Sequence, residues 1–294
     1  MKSICLLAFC MTAPLFFAVL ISCDKTDTAG PDLSQRIRPN DISDLSDRQP
    51  IFDPGNQTIL SDSTNLRWGI SCDSGDWLAK EWFTINFNCD WKIPYWAAYY
   101  LNDSMLSLDT TRSANNKIDQ DISSDCQARD YDYSYNPYDK GHVAPAAAFR
   151  YCSLAYASTY YWTNISPQHE KINQYKWKAL EVSIRNRIMS IGNGWIITGH
   201  FFDTPNQQPD TFLNNRVAIP THLYKAVLFM NDDSVFSMAA YLIPNASDTL
   251  PYTFEEYCLC VDQLELITGY DFFPLLEDGL ENYLEGGNIT SVGP

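Results

Sequence analysis

The sequence predicts an α+β domain with a central, mostly antiparallel sheet and flanking helices. Two patterns carry this prediction. Apolar residues recur at spacings of three and four from residue 173 to about 191, which is typical of an amphipathic helix. Short stretches rich in aromatic and aliphatic residues indicate buried strands at 95–101, 194–202, 224–230 and 235–243. A further helix is predicted from 254 to about 268.

The first 22 residues are not expected to belong to the fold. Lys2 precedes an almost wholly apolar run over residues 4–21, which ends in Leu-Ile-Ser-Cys at Cys23. This run is long enough for a membrane helix, but Pro14 and the polar stretch after Cys23 favour a secretory signal. The ending resembles a bacterial lipobox. It implies cleavage of a 1–22 signal peptide and a lipid on Cys23 that anchors the exported protein to a membrane, on its periplasmic or cell-surface side.

Residues 23–58 are predicted to form a polar tether, because they lack an apolar period and cannot bury enough surface to offset the entropy of ordering. Residues 59–294 are enough for one domain with a sizeable core.

Cysteine usage also indicates export. Six cysteines remain once the signal is removed and Cys23 is lipidated, and an even number in an exported chain predicts disulfides. Their pairing stays open among Cys72, Cys89, Cys126, Cys152, Cys258 and Cys260.

The chain is acidic, with a formal net charge of -16. Nucleic-acid binders are usually basic, so such a partner would require a local basic patch. Basic residues that could supply one lie between positions 140 and 187: Lys140, Arg150, Lys171, Lys176, Lys178, Arg185 and Arg187.

The predicted helix presents a candidate metal site. Asn173, Trp177 and Glu181 lie at i, i+4 and i+8 and so share one face. In an α-helix the first and last are about 12 Å apart along the axis. One of them could hold an ion directly and the other through water, an arrangement that suits Mg²⁺. A surface i,i+4 salt bridge between Glu181 and Arg185 is the simpler alternative for that pair.

One motif with its following residues identifies a family. Asp139-Lys140-Gly141-His142, followed by Asn173 and Glu181, resembles the DNA/RNA non-specific endonucleases, which are ββα-metal nucleases marked by Asp-Arg-Gly-His. The resemblance covers roughly residues 90–283 and implies a ββα-metal active-site motif.

The resemblance implies roles for individual residues. His142 is expected to be the general base, since an ordinary histidine pKa suits that role at neutral pH. Asn173 is expected to ligate Mg²⁺ directly and Glu181 through water. Arg185 and, in a loosely aligned stretch, Arg112 are expected to offset charge in the transition state.

Other motif residues are expected to support the site. The resemblance implies structural roles for Asp139 and Asn164, and Gly141, which lacks a Cβ, is expected to let His142 approach a phosphate. Lys140 replaces the usual arginine and is expected to neutralise phosphate charge. Lysine cannot make a flat bidentate contact, so rate and substrate preference are left open.

The function expected is a Mg²⁺-dependent endonuclease that cleaves DNA and RNA with little sequence specificity, with Mn²⁺ as a possible substitute. A phosphodiesterase on small nucleotides would use the same chemistry. A non-catalytic surface lipoprotein that binds glycans or peptides through its aromatic residues is the alternative from another class. The combination of His142, Asn173 and Glu181 favours an enzyme, because a pure binder has no need of it. The oligomeric state stays open.

Overall fold

The computed structural model describes residues 20–21, 58–72, 74–110, 113–247, 253–286 and 289–290. The predicted tether up to residue 57, Cys23 and Arg112 lie outside the described residues, as does the predicted signal apart from residues 20–21. Within the described ranges, no helix is long and apolar enough to span a bilayer.

The described residues form fifteen strands and five α-helices. The strands are Leu20–Ile21 (β1), Thr58–Leu60 (β2), Ile70–Cys72 (β3), Asp76–Ala79 (β4), Thr84–Asn88 (β5), Ile93–Asn102 (β6), Tyr138–His142 (β7), Ile165–His169 (β8), Gly192–Phe201 (β9), Phe212–Leu213 (β10), Val217–Ala218 (β11), His222–Asn231 (β12), Phe236–Pro244 (β13), Cys258–Leu259 (β14) and Ile289–Thr290 (β15). The α-helices are Asp103–Leu106 (α1), Ser153–Ser158 (α2), Lys178–Ile191 (α3), Val261–Thr268 (α4) and Asp278–Glu285 (α5). Short 3₁₀ segments occupy Ser124–Cys126, Asp130–Tyr133, Ala146–Phe149, Trp162–Asn164 and Phe254–Tyr257.

In the described part of the chain, the main sheet has seven strands in the order β14-β13-β12-β9-β6-β5-β4, and every pairing is antiparallel. Four two-stranded sheets lie apart from it: β1 with β15, β2 with β3, β7 with β8, and β10 with β11. The α+β prediction is confirmed, and the four predicted strand stretches correspond to β6, β9, β12 and β13.

Apolar layers cover both faces of the main sheet, so a central strand such as β12 is buried on both sides. Leu223 and Val227 of β12 share one core with residues of α3. Tyr224 and Ala226 share a second core with residues of α4. Because side chains alternate between the faces of a strand, Lys225 faces the α3 side.

The helical predictions need two corrections. The predicted α-helix from residue 173 begins instead with a π-helix over Ile172–Trp177, and α3 starts only at Lys178. An α-helical rise therefore does not apply between Asn173 and Glu181. The predicted helix from 254 is interrupted because β14 pairs there with the edge of β13, and only α4 is α-helical.

The sequence from β7 to α3 forms a ββα unit, as the resemblance implied. β7 and β8 pair antiparallel, with His142 opposite Ile165, and the chain then enters the π-helix and α3. Polar contacts join this hairpin to residues in and next to the main sheet. Asn245 accepts a hydrogen bond from the His169 N–H at 2.7 Å, and His200 Nε2 lies 2.8 Å from Ser166 Oγ.

Predicted disulfide bonding is observed for one pair, Cys89 with Cys126, which are 37 residues apart. Among the described side chains, Cys152 is a free thiol, and Cys258 and Cys260 are buried. The side chain of Cys72 lies outside the described residues.

Replacing Cys89 and Cys126 together by alanine is expected to lower the free energy of unfolding by about 3–4 kcal/mol, because a cross-link over such a loop restricts the unfolded chain. Urea unfolding measures the loss. Cys152→Ser is the control and is expected to change stability little, because Cys152 is unpaired at the N-cap of α2, where serine is favourable. Equal losses in both variants would contradict a stabilising cross-link.

Candidate active site

His142 ends strand β7 with a partly buried imidazole. Its ring packs edge-on against Tyr160, with 4.7 Å between ring centroids and 77° between planes. Its Nε2 is buried and has no hydrogen-bond partner among the described residues. Burial lowers the pKa of His142 to about 4. The imidazole is therefore neutral at pH 7 and has a nitrogen available to accept a proton.

Asn164 fixes the chain directly after His142. It is fully buried, and its Oδ1 accepts a hydrogen bond from the Ala144 N–H at 2.8 Å. Its Nδ2 donates to the carbonyl oxygens of Ala144 and Thr159, both at 2.9 Å. The Val143 N–H also donates to the Asn164 carbonyl at 2.9 Å. These bonds satisfy the whole side-chain amide and hold the end of β7 in register.

Gly141 is required for a reason that the sequence did not indicate. A Cβ at this position would lie 2.1 Å from Cδ of Gln168 and 2.3 Å from its Cγ. Gln168 belongs to the opposing strand β8 and is almost fully buried. The missing Cβ therefore makes room for Gln168 within the hairpin, which is a packing role rather than an approach to phosphate.

Asp139 connects the hairpin to the π-helix. Its Oδ2 accepts hydrogen bonds from Asn173 Nδ2 and Gln174 Nε2, each at 2.9 Å. A carboxylate oxygen is an acceptor, so it fixes the Asn173 amide with the nitrogen toward Asp139. The Asn173 oxygen then points elsewhere, and no described residue donates a hydrogen bond to it. That oxygen is the kind of hard, neutral ligand that a magnesium ion accepts.

Glu181 lies on α3 against a buried lysine of the main sheet. Its Oε1 is 3.8 Å from Nζ of Lys225, which is fully buried. Lys225 also donates a hydrogen bond to Thr198 Oγ1 at 3.2 Å, and its Nζ lies 4.4 Å from the Trp177 ring centroid. Burial raises the pKa of Glu181, whereas the cations of Lys225 and Arg185 lower it. Burial lowers the pKa of Lys225 to about 8, and Glu181 opposes that shift.

The surface salt bridge considered for Glu181 and Arg185 is not found among the described residues. Glu181 forms an ion pair with Lys225 instead. The shared face predicted for Trp177 and Glu181 is observed in that both contact Lys225. Asn173 instead meets the hairpin through Asp139. The site thus joins two parts of the ββα unit rather than one helix face.

Arg185 lies one turn after Glu181 and lines a groove of about 210 Å³. Its Nη1 is buried and has no hydrogen-bond partner in the described part of the chain. Arg150 also lines the groove, with Met105 and Met189 on the apolar part of its wall. The groove therefore combines guanidinium groups with apolar surface beside the site.

The Lys140 ammonium group is paired with an acidic residue of the protein. It forms an ion pair with Asp130, and its Nζ lies 5.7 Å from the Trp162 ring centroid. Part of its charge is therefore neutralised within the protein, so the predicted role in offsetting phosphate charge is weakened. Arg112 lies outside the described residues, and its predicted role stays a prediction.

Two residues that contact the site were not predicted from the sequence. Lys225 was not predicted, although a single lysine inside an apolar strand such as 224–230 is a signal of a buried, paired charge. Gln174 shares Asp139 with Asn173 but gives no signal of its own, because its contact depends on the hairpin lying across the π-helix.

The fold and the site have the arrangement of the ββα-metal class: an antiparallel hairpin carries the histidine, and the following helix carries an asparagine amide and a carboxylate. The family described as DNA/RNA non-specific endonuclease matches residues 62–279. The chain belongs to that family.

Several relatives are similar over much of the domain. Nuclease EXOG, mitochondrial, from Danio rerio is 28% identical over 203 residues, which cover 66% of this chain and 59% of that protein. Nuclease C1 from Cunninghamella echinulata var. echinulata is 27% identical over 223 residues, covering 72% and 88%. The chain thus spans about three fifths of the first relative and most of the second.

A solved structure supports the same fold. A chain in the crystal structure of an EndoG/EndoGI complex superimposes with a TM-score of 0.61 at 21% sequence identity. The match covers 70% of this chain and 89% of that chain. At this identity the likeness concerns the fold.

His142 is expected to titrate well below the ordinary histidine value of 6.5, because burial disfavours its charged form. NMR of the imidazole C–H signals as a function of pH measures this, and comparison with His142→Gln assigns the signal. The lowered pKa keeps the ring neutral down to about pH 5. A midpoint at 6.5 or higher would contradict a desolvated imidazole.

Proposed function

We propose that this protein is a Mg²⁺-dependent endonuclease that hydrolyses phosphodiester bonds of DNA and RNA with little sequence specificity. The observation that carries the proposal is the Asp139–Asn173 hydrogen bond, which leaves an amide oxygen free in the same ββα unit as the neutral His142. This combination of a proton acceptor, His142, and a cation ligand, Asn173, is suited to the hydrolysis of a phosphate diester.

The donor set fits magnesium. Mg²⁺ takes few protein ligands, prefers oxygen and keeps several of its waters. Asn173 would hold the ion through Oδ1, and Glu181 would contact it through water. When bound, Mg²⁺ would stabilise negative charge on the phosphate and on the leaving oxygen. Mn²⁺ accepts similar oxygen ligands and is expected to substitute.

The side chains of the protein have separate tasks in this reaction. His142 accepts a proton from the attacking water, and the edge-on contact with Tyr160 restricts the orientation of its ring. Lys225 holds the Glu181 carboxylate in place and supplies a countercharge where water is excluded. Arg185, one turn after Glu181 on α3, would contribute positive charge near the transition state.

The groove beside Arg185 explains how an acidic chain could bind an anionic polymer. Its two arginines would contact phosphates, which position a nucleic acid without reading its sequence. Met105 and Met189 offer adaptable apolar surface to bases of any identity. Low specificity is consistent with such a surface.

We also propose that the protein is exported and lipid-anchored through Cys23, with the signal and tether predicted from the sequence. The Cys89–Cys126 disulfide supports export, because such bonds persist in oxidising compartments. Cleavage before Cys23 would remove β1, which pairs with β15 outside the seven-stranded sheet. The main sheet would therefore remain complete.

Asn173→Ala is expected to lower turnover and apparent Mg²⁺ affinity together, because it removes a direct ligand. Glu181→Gln is expected to cost about 10- to 100-fold, as is common for a residue acting through water. A Mg²⁺ titration of plasmid nicking and of RNA cleavage measures both, with EDTA to define the metal-free rate.

Gln174→Ala is the matched control for this titration. It removes the neighbouring hydrogen bond to Asp139 and leaves Asn173 intact, so its Mg²⁺ response should stay close to wild type. If Asn173→Ala titrates like wild type, the ion is held elsewhere and the proposal fails. Cleavage of small phosphodiesters without any nicking would establish the small-substrate alternative instead.

Cys23→Ser is expected to abolish incorporation of labelled fatty acid, because the acyl chain is attached to the sulfur. Cys152→Ser, which changes another unpaired thiol, should leave labelling intact. Labelling that survives the loss of Cys23 would overturn the lipid anchor.

A further inference from the structure

Five carboxylates converge at the C-terminal end of the domain, away from the proposed active site. They fall into two groups of three, and in each group the ligand oxygens lie within 4.8 Å of one another. The groups are Asp262, Glu265 and Glu285, and Asp271, Glu281 and Glu285. Glu285 belongs to both groups, so its carboxylate is at the centre of the cluster.

In the described part of the chain, the central carboxylate is buried and shares a hydrogen bond with another carboxyl group, Glu265, but no cation is paired with it. Glu285 is only 7% exposed. Its Oε1 is buried without a hydrogen-bond partner among the described residues, and the same is true of Oε1 of Glu281. No described lysine or arginine forms an ion pair with either residue. Two buried carboxylate oxygens of the cluster therefore lack a hydrogen-bond donor among the described residues.

Burial and mutual repulsion disfavour the charged forms of these carboxyl groups. Burial and the neighbouring Glu285 raise the pKa of Glu265 to about 9, and burial with Glu281 raises the pKa of Glu285 to about 8. Burial raises the pKa of Glu281 to about 7. Buried carboxylates normally have a partner or a metal, because an isolated buried charge is very unfavourable.

We propose that this cluster binds a calcium ion, separate from the Mg²⁺ of the proposed active site. Ca²⁺ accepts six to eight oxygen ligands in flexible geometry, including carboxylates that bind through both oxygens. Mg²⁺ requires near-ideal octahedral geometry and keeps several of its waters, so a set of carboxylates converging around one buried carboxylate suits it less well.

Such an ion would link the two C-terminal helices, α4 and α5. Asp262 and Glu265 belong to α4, Glu281 and Glu285 to α5, and Asp271 to the connection between them. The connection is itself ordered against the domain, because the Glu265 Oε1 accepts a hydrogen bond from the Phe272 N–H at 2.8 Å. These helices pack on the face of the sheet opposite α3, so the ion would stabilise the fold without contacting the active site.

Thermal unfolding of the full-length protein in EGTA and in CaCl₂ at pH 8 tests the proposal. At calcium about 100-fold above the dissociation constant, the wild-type Tm is expected to rise by about 5 °C or more. Glu285→Gln should lose most of this rise, because the central charge is gone. In EGTA it should have a higher Tm than wild type, since removing the charge relieves repulsion.

Two controls locate the ion. Asp233→Asn removes one exposed carboxylate elsewhere and should keep the full calcium response. Asn173→Ala should also keep it, because that residue belongs to the proposed magnesium site. Isothermal titration with CaCl₂ should detect one fewer site in Glu285→Gln than in wild type.

The outcomes separate calcium binding from a cluster that simply holds protons. A protonated cluster would give no calcium-dependent rise in the wild-type Tm, and this result would overturn the proposal. A rise that survives in Glu285→Gln, or one that disappears in Asn173→Ala, would also overturn it by placing the ion elsewhere. Failure of the nuclease proposal would not change these calcium responses.

Discussion

The hydrogen bond from Asn173 to Asp139 is the contact on which the active-site arrangement depends. It joins strand β7, which carries His142, to the π-helix that follows β8. Because Asp139 can only accept, the bond fixes the Asn173 amide with its oxygen outward. Without it the amide could rotate, and an ion would find nitrogen where oxygen is needed. A structural hydrogen bond thus determines which atom is offered to metal.

The π-helix is part of the same constraint. An extra residue in a helical turn changes the direction in which the preceding side chains point around the helix axis. π-Helices are often found at functional sites. Here the irregular turn ends at Trp177, after which α3 is regular. The turn lets Asn173 face the hairpin while Trp177 and Glu181 face Lys225. The two parts of the site therefore have different neighbours although they are only eight residues apart in the sequence.

Local patterns in the sequence predicted the fold class and the long strands, whereas the candidate base and ligand came from the resemblance to a family. Alternation and apolar periodicity report burial, and the Asp-Lys-Gly-His motif lies on one short strand. The π-helix, the role of Lys225 and the reason for Gly141 were not predicted. Each depends on a residue far away in sequence: Lys225 meets Glu181 across 44 positions, and Gly141 meets Gln168 across the hairpin. Local propensity carries no information about such contacts.

The negative net charge is less of an obstacle to nucleic-acid binding once the charges are assigned to faces of the sheet. Lys225 and Arg185 lie with α3 on one side, whereas the five clustered carboxylates lie with α4 and α5 near the other. An anionic polymer in the groove would meet Arg185 and Arg150, the latter paired with Asp109 on the same wall, and the main sheet would separate it from the acidic cluster. Interactions between exposed charges are screened beyond about 10 Å at 0.1 M salt. The local arrangement, rather than the total of -16, therefore determines what the groove attracts.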